Sequence, residues 1–348
     1  MLIVAGLSLK NLHPRVWDEE SPYHLPSLRA VMVSYGEFHD MPSQMKKAKE
    51  VGLREYLGIP PHISVYLDNG AFRFLRVRGD AERKAYQEFV ERAKPDWYPI
   101  AFDVIPTPKM SKPRQRQCFA STMDANYAYS HDGYVPVIHI GSMLEHYVGA
   151  VLRDSKLLAK DRIALGAIVP NLLRAPRAMP YAKILESLMH VRSVFRDKTL
   201  HVFGIGGTAT VHLAALLEID SADSSGWRNR AARGIVQLPG SGDRMVANLG
   251  KWRGRKPSEE EWARLGLCRC PVCRDQGIAG LTADKINGFC SRATHNLWIL
   301  LDEASWLEEN LREGTYEVNY EQRLDNSTYL PLVAHVIKMK SAMSCALG

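Results

Sequence analysis

The run Ile63-Ser64-Val65-Tyr66-Leu67-Asp68 is short, mostly apolar and ends on a carboxylate, and the same plan recurs along the chain. Comparable runs stand at Ala30–Ser34, Tyr98–Phe102, Val135–Ile140, Ile163–Val169 and Leu200–Phe203, with weaker ones at Leu217–Ala222 and Gly234–Leu238. Strands covered on both faces read as such unbroken apolar runs, as parallel sheets require. Amphipathic helical patterns separate them: Ala81–Ala93, Gln115–Tyr129, Met143–Leu158, Tyr181–Phe195 and Val211–Leu217. This alternation predicts an α/β fold, and a count close to eight favours a closed TIM (β/α)8 barrel. Asp68, Asp103, His139, Gly166 and Gly204 each fall at or just past the C-terminal end of a run. A barrel gathers those positions on its active face; an open sheet would collect ligands at one switch point instead.

Residues 1–250 therefore read as a barrel catalytic domain. Beyond them the pattern changes to a basic Gly/Pro-containing stretch (Lys251–Pro257), an acidic helix, a cysteine cluster and a long helical pattern at Ala293–Glu313. Residues 251–348 read as a zinc-binding, helical C-terminal subdomain packed on the barrel.

Length and composition agree with a large folded unit: 348 residues, 46% hydrophobic and 24% charged. No apolar run approaches a membrane span. Met1–Leu9 is apolar but lacks a basic n-region and a cleavage site, so it reads as a strand and not as a signal peptide. The expectation is a soluble, cytoplasmic protein. The net charge is +7, and its cations cluster in Lys109–Arg116, Arg228–Arg233 and Lys251–Lys256, segments that look like loops. One basic loop is ordinary surface; three favour a surface that tracks phosphates.

Cys268-Arg-Cys270-Pro-Val-Cys273 is a metal-binding spacing and not a disulfide framework. His295, near the start of a helical pattern, supplies a fourth donor, and a Cys3His set filled by protein describes one structural zinc per chain with no open position for catalysis. Cys290 is a possible competing ligand without a second donor beside it.

Taken together the motifs resemble the tRNA-guanine transglycosylase superfamily. The resemblance rests on Asp68-Asn69-Gly70-Ala71-Phe72, Ala101-Phe102-Asp103-Val104-Ile105-Pro106, Gly204-Ile205-Gly206, Asp220-Ser221-Ala222-Asp223-Ser224 and the CxCxxC…HN zinc motif, in that order over roughly residues 60 to 300. It implies exchange of guanine in nucleic acid for a 7-deazaguanine on a zinc-bearing barrel. It assigns Asp223 as nucleophile and Asp68 as general acid/base. The plain structural alternatives are a helix N-cap for Asp223 and a turn aspartate before Asn69-Gly70 for Asp68. Asp220 is the decoy nucleophile, with a structural or orienting role expected.

The departures point away from tRNA. Ser225–Arg233 replaces the Pro-Thr-Arg segment with which the bacterial tRNA enzymes read the anticodon loop. His139 stands where a pocket glutamine is usual. The archaeal tRNA enzymes carry long C-terminal RNA-binding domains, and this sequence ends at Gly348. This combination is similar to the DNA 7-deazaguanine transglycosylase branch, with 7-cyano-7-deazaguanine as the expected incoming base. Relatives pair near the zinc region, so a homodimer or accessory proteins are compatible partners.

The residues support that chemistry on their own terms. Breaking an N-glycosidic bond builds oxocarbenium character on the sugar, which a carboxylate can trap covalently. A second carboxyl protonates the leaving base and later deprotonates the incoming one, as in retaining glycosidases. Asp103 could accept from the N1–H and amino edge of the base, with His139, Gly166 and Ala167 at the pocket edge and Phe72 and Phe203 sandwiching the ring. The Gly204–Gly207 loop could equally hold a phosphate. The target nucleotide must leave the stack, with Trp227 expected as a wedge or stacking platform beside Arg228, Arg230 and Arg233. Three competing readings remain: a tRNA-guanine transglycosylase proper, a non-catalytic nucleic-acid-binding subunit, and a glycosidase of free nucleosides.

Overall fold

A computed structural model describes residues 1–72, 80–130, 133–169, 178–250, 252–284 and 287–347. Lys251 and Gly348 lie outside the described residues. Seven parallel strands form the main sheet: β1 (Leu2–Gly6), β2 (Ala30–Ser34), β3 (Ser64–Asp68), β4 (Val137–His139), β5 (Arg162–Gly166), β6 (Thr199–Val202) and β7 (Ser221–Ser224). Their spatial order is β3-β2-β1-β7-β6-β5-β4. The gap between β4 and β3 is spanned by residues 97–100. Trp97 bridges to Tyr66 of β3, and Pro99 bridges to Val135 just ahead of β4, both in parallel. The Trp97 carbonyl accepts from Leu67 N–H at 2.9 Å, and Tyr98 and Ile100 exchange backbone bonds with Val135 at 3.0 Å. This irregular segment is the remaining stave of a (β/α)8 barrel whose staves follow one another in chain order. It is irregular because Pro99 cannot donate to a ladder.

The staves are apolar because both faces are covered. Val4, Ala5, Val31, Leu67, Ile138, Ala164, Leu200 and Ala222 are essentially inaccessible, and they join the surrounding helices in one continuous core. Two of the expected strands need correction. Gly234–Leu238 is not a stave: β8 (Ile235–Leu238) pairs antiparallel with β9 (Gly242–Met245) in a separate hairpin. The barrel takes its place from the N-terminal β1, paired with both β2 and β7. The run at Leu217–Ala222 begins as a helix end, and its strand covers Ser221–Ser224. The hairpin reads like a stave because it too is covered. Val236 and Leu238 are buried with Leu265, Cys270, Val272, Cys273 and Leu281 in a second, smaller core.

Two buried side chains join the hairpin to its neighbours. Arg244 forks onto Glu261 (Nε–Oε2 2.8 Å, Nη2–Oε1 2.5 Å), fixing β9 to the capped Glu259–Gly266 helix. Asn296, on the Asn287–Glu313 helix, donates to the Trp227 and Ile235 carbonyls and accepts from Gln237 N–H at 2.7 Å. Among the described residues no helix is long and apolar enough to cross a membrane.

Candidate active site and metal centre

The parallel order brings the C-terminal ends of the staves to one mouth. Asp68 closes β3, His139 closes β4, Gly166 closes β5 and Asp223 sits one residue from the end of β7. Asp103 follows the irregular stave. Three carboxylates thus share the mouth, and each is held differently.

Asp68 Oδ2 accepts from Ser34 Oγ at 2.8 Å and from Gly70 N–H at 3.0 Å, so Oδ1 is the oxygen left to carry a proton. Burial pushes its pKa up to about 6, and the charges of Asp223 and Asp103 push in the same direction. Desolvation and like charge both disfavour the ionised form, and the two donated hydrogen bonds only partly offset them. A carboxyl that titrates near neutrality can give and take a proton in the same cycle.

Asp223 Oδ1 accepts the Gly204 N–H at 2.7 Å, leaving Oδ2 without that anchor. Gly204 has φ +80°, and a Cβ there would stand 2.2 Å from Val169 Cγ2, so only glycine presents this amide. The Gly204–Gly207 loop thus has a use unrelated to phosphate. His201 Nε2 faces the same Oδ1 at 3.6 Å. Asp220, three residues earlier, lies at the other end of β7. It pairs with Arg192 (2.6 Å) and accepts from Leu200 N–H (2.7 Å).

Asp103 is 7% exposed and uses both oxygens. Oδ1 accepts from Asn69 Nδ2 at 2.7 Å, and Oδ2 lies 3.1 Å from Nε2 of the fully buried His139. Asn69 also donates to the Ile100 carbonyl and accepts from Ala71 N–H, so it ties the loop after Asp68 to the loop after Ile100. Gly166 has to be glycine because a Cβ would meet His139 Nδ1 at 2.8 Å. Phe102 and Ala167, at the same rim, adopt positive φ of 50° and 62°, a strained conformation for side-chain-bearing residues that concentrates at functional sites. Asn69, Ser34 and His201 join the expected residues at the mouth, and their signals in the sequence are weak: Ser34 ends a strand as Asp68 does, Asn69 reads as a turn residue, and His201 lies inside an apolar run.

The two expected ring partners do not pack on each other. Phe72 is 54% exposed, while Phe203 packs edge-on against His201 (4.9 Å) and Trp97 (5.9 Å). The nucleic-acid residues need a firmer correction. Trp227 is fully buried and donates Nε1–H to the Gly6 carbonyl at 3.1 Å, so it cannot stack on a base. Arg228 is 7% exposed, gives its guanidinium to the His13 and Asn11 carbonyls, and lies against Trp227 and Phe289. Both residues weld the Gly226–Ala232 helix to the barrel. Arg230 pairs with Asp243 at 2.6 Å. Arg233 is exposed, with its guanidinium 4.0 Å over the ring of Trp252, itself 49% exposed. Arg253, Arg255 and Lys256 are exposed beside it, as are Lys109, Lys112 and Arg116 in the segment that follows the Asp103 loop.

Cys268, Cys270, Cys273 and His295 bring their ligand atoms within 4.8 Å of one another, a group that could hold a metal ion. His295 Nδ1 lies 3.5, 3.7 and 3.4 Å from the three sulfurs. Zinc bonds of about 2.3 Å to sulfur and about 2.0 Å to nitrogen at a tetrahedral angle place sulfur and nitrogen about 3.5 Å apart. The donor set fits that ion. His295 Nε2 contacts the Gln237 carbonyl at 3.0 Å, the outer partner that leaves Nδ1 as the ligating nitrogen. Cys290 is not among the grouped donors.

No family model matches the chain. It is 25% identical over 282 residues to a tRNA-guanine(15) transglycosylase of Pyrococcus abyssi, covering 77% of this chain and 43% of the relative. For the enzymes of the same name from Thermococcus onnurineus and Methanocaldococcus jannaschii the identities are 26% and 25%, covering 78% and 80% of this chain and 44% and 41% of theirs. The chain spans less than half the length of these curated relatives. This homology to tRNA-guanine transglycosylases, at about one residue in four, supports a place for the chain in that superfamily.

Proposed function

We propose that this chain is a DNA base-exchange enzyme that replaces guanine with a 7-deazaguanine, 7-cyano-7-deazaguanine in the first instance, through a covalent aspartyl-sugar intermediate. The observation that carries the reading is the mouth itself. Asp68, Asp103 and Asp223 meet there without a lysine or arginine partner among the described residues, and Asp68 is pushed up to about 6 partly by the charge of Asp223. A fold gains no stability from such an arrangement; a two-carboxylate substitution at a sugar carbon needs it.

In this mechanism Asp223 Oδ2 attacks the anomeric carbon as the bond to guanine breaks, and Asp68 gives its proton to the departing base. The 7-deazaguanine then enters, Asp68 takes its ring N–H proton, and the base displaces the aspartyl oxygen. Two inversions retain configuration, and Asp68 returns protonated. Asp103, oriented by Asn69 and His139, accepts from the donor edge of the base. The zinc ion proposed for the Cys3His set is structural, since all four positions belong to protein. Cys268, Cys270, Cys273 and His295 would hold it, and it would tie the cysteine loop to the helix that carries His295.

DNA is preferred because the segment after Asp223 differs from an anticodon-reading one: its Trp227 and Arg228 are folded into the core. The exposed Arg233–Trp252 pair and the cations around it, with Lys109 and Lys112, are the surface proposed for the phosphate backbone. A tRNA substrate is the second reading, favoured by the name shared by the relatives. Incubation with labelled 7-cyano-7-deazaguanine and duplex DNA or tRNA in parallel, followed by nucleoside analysis, tests the proposal. Label in deoxynucleoside supports it; label only in tRNA replaces DNA by tRNA; label in neither refutes it.

A further inference from the structure

His201 lies inside the barrel on β6, 2% exposed, among rings that fix its plane. The Trp97 ring is 4.8 Å away, Phe203 4.9 Å and Tyr66 5.9 Å. Its Nδ1 is 2.9 Å from Ser221 Oγ. Its Nε2 is buried and makes no hydrogen bond, and the acceptor it faces is Asp223 Oδ1 at 3.6 Å. A buried ring nitrogen is seldom left unpaired without a use. Ser221 and Asp223 are two apart on β7 and so project to the same side of the strand. One strand thus offers His201 a hydroxyl for one ring nitrogen and a carboxylate for the other. When Ser221 Oγ donates to Nδ1, the ring proton is left on Nε2, aimed at Asp223.

We propose that His201 is a positioning residue for Asp223: the Gly204 N–H holds Oδ1, and the His201 Nε2–H, 3.6 Å from the same oxygen, faces it as a second dipole, so that Oδ2 is the oxygen presented to the sugar. This rests on the reading of Asp223 as nucleophile. Among the described residues the carboxylate otherwise has one fixed donor, the Gly204 amide, and could turn about it. An Nε2–H dipole facing the same oxygen opposes that rotation. Nucleophile misplacement of about 1 Å can cost on the order of 100-fold in rate, so the effect belongs in kcat and in the rate of covalent capture. It does not belong in nucleic-acid affinity.

The test uses the full chain and the nucleic acid, duplex DNA or tRNA, on which the wild type exchanges labelled guanine. His201→Leu keeps the bulk and removes the donor; His201→Gln puts an amide donor back on the Asp223 side. His201→Leu should lower kcat and the adduct-formation rate together by about 10- to 100-fold, with KM for the nucleic acid within about twofold. His201→Gln should recover most of the loss at an equal melting temperature. A wild-type capture rate in His201→Leu overturns the role of His201 while Asp223 stays the nucleophile. A His201→Gln protein as slow as His201→Leu also overturns it, because ring shape and not the donor would then matter. Should His201→Leu not fold, Ser221→Ala, which frees the tautomer, carries the test: a severalfold drop in capture is expected, and an unchanged rate overturns the role. A wild-type adduct on a residue other than Asp223 removes the nucleophile assignment, and this role with it.

Discussion

The two ends of the barrel treat their aspartates in opposite ways. At the N-terminal end Asp96 and Asp220 are 43% and 45% exposed, yet each has an arginine, Arg54 at 2.5 Å and Arg192 at 2.6 Å. Each also accepts a strand N–H, from Val65 at 2.6 Å and from Leu200 at 2.7 Å. At the C-terminal mouth the side chains of Asp103 and Asp223 are 6% and 17% exposed, and the basic groups facing them among the described residues are histidines. Stability alone would reverse this, since a buried charge needs a cation more than an exposed one does. The N-terminal pairs are clamps that repeat one solution at two staves. The mouth lacks such clamps among the described residues, as expected if its carboxylates have the proposed catalytic roles, because stability and chemistry then compete for the same residues.

Exchanging the two ends' roles by mutation is the sharpest way to break the comparison. Asp223→Asn should reduce exchange by about 1,000-fold or more and abolish the adduct, with folding intact. Asp220→Asn, only three residues away, should leave the adduct on Asp223 and cost about 1–2 kcal/mol of stability through the lost bonds to Leu200 and Arg192. Mapping at residue resolution and urea denaturation would read both; an adduct on Asp220 would collapse the distinction.

The Cys3His group belongs with the clamps in this comparison. Cys270→Ser should lose the metal and much of the folded protein, because structural zinc supplies folding free energy directly. Metal analysis of the wild type should return about one zinc per chain. A well-folded, active, metal-free chain would show that the group is not a metal site.

A smaller effect of opposite sign is expected at Asp68. Its folded-state pKa of about 6 lies above the ordinary 3.8. Its contribution to stability is therefore fully present below about pH 4 and is lost as pH rises through about 6. Asp68→Asn removes that loss, so at pH 8 it should be more stable than wild type by up to about 3 kcal/mol while impairing guanine departure. The gain should vanish near pH 4. Melting curves at the two pH values check the sign, and a mutant destabilised at pH 8 would place Asp68 among the clamps.

The smallest effect concerns the surface cations. Arg233→Ala with Trp252→Ala should weaken nucleic-acid binding and lower the salt-dependence slope by about one. Arg228→Ala should act differently, lowering stability because its guanidinium serves the His13 and Asn11 carbonyls. A binding titration across salt concentrations separates them; an unchanged slope in the Arg233/Trp252 variant would make that pair ordinary surface.

What the sequence determined by itself were the features written in local order. Apolar runs ending on Asp68, His139 and Gly166 announce parallel strands with a polar rim, because burial on both faces leaves only the strand end free to be polar. The Cys268–Cys273 spacing announces a cluster of donors that could hold a metal ion, because it brings three thiols together within one turn of chain. Tertiary structure alone decided which equivalent-looking residues went where. Asp220, just ahead of β7, and Asp223 within it are an odd number apart along extended chain and face different ways, but only the neighbouring staves say which way is inward. Gly234–Leu238 looks like a stave because burial against the cysteine-bearing segment leaves the same apolar record as burial in a barrel. Trp227 looks like a platform because an indole beside arginines suits both a nucleic acid and a helix packed on a core. The carbonyl of Gly6, more than two hundred residues away, settled that choice.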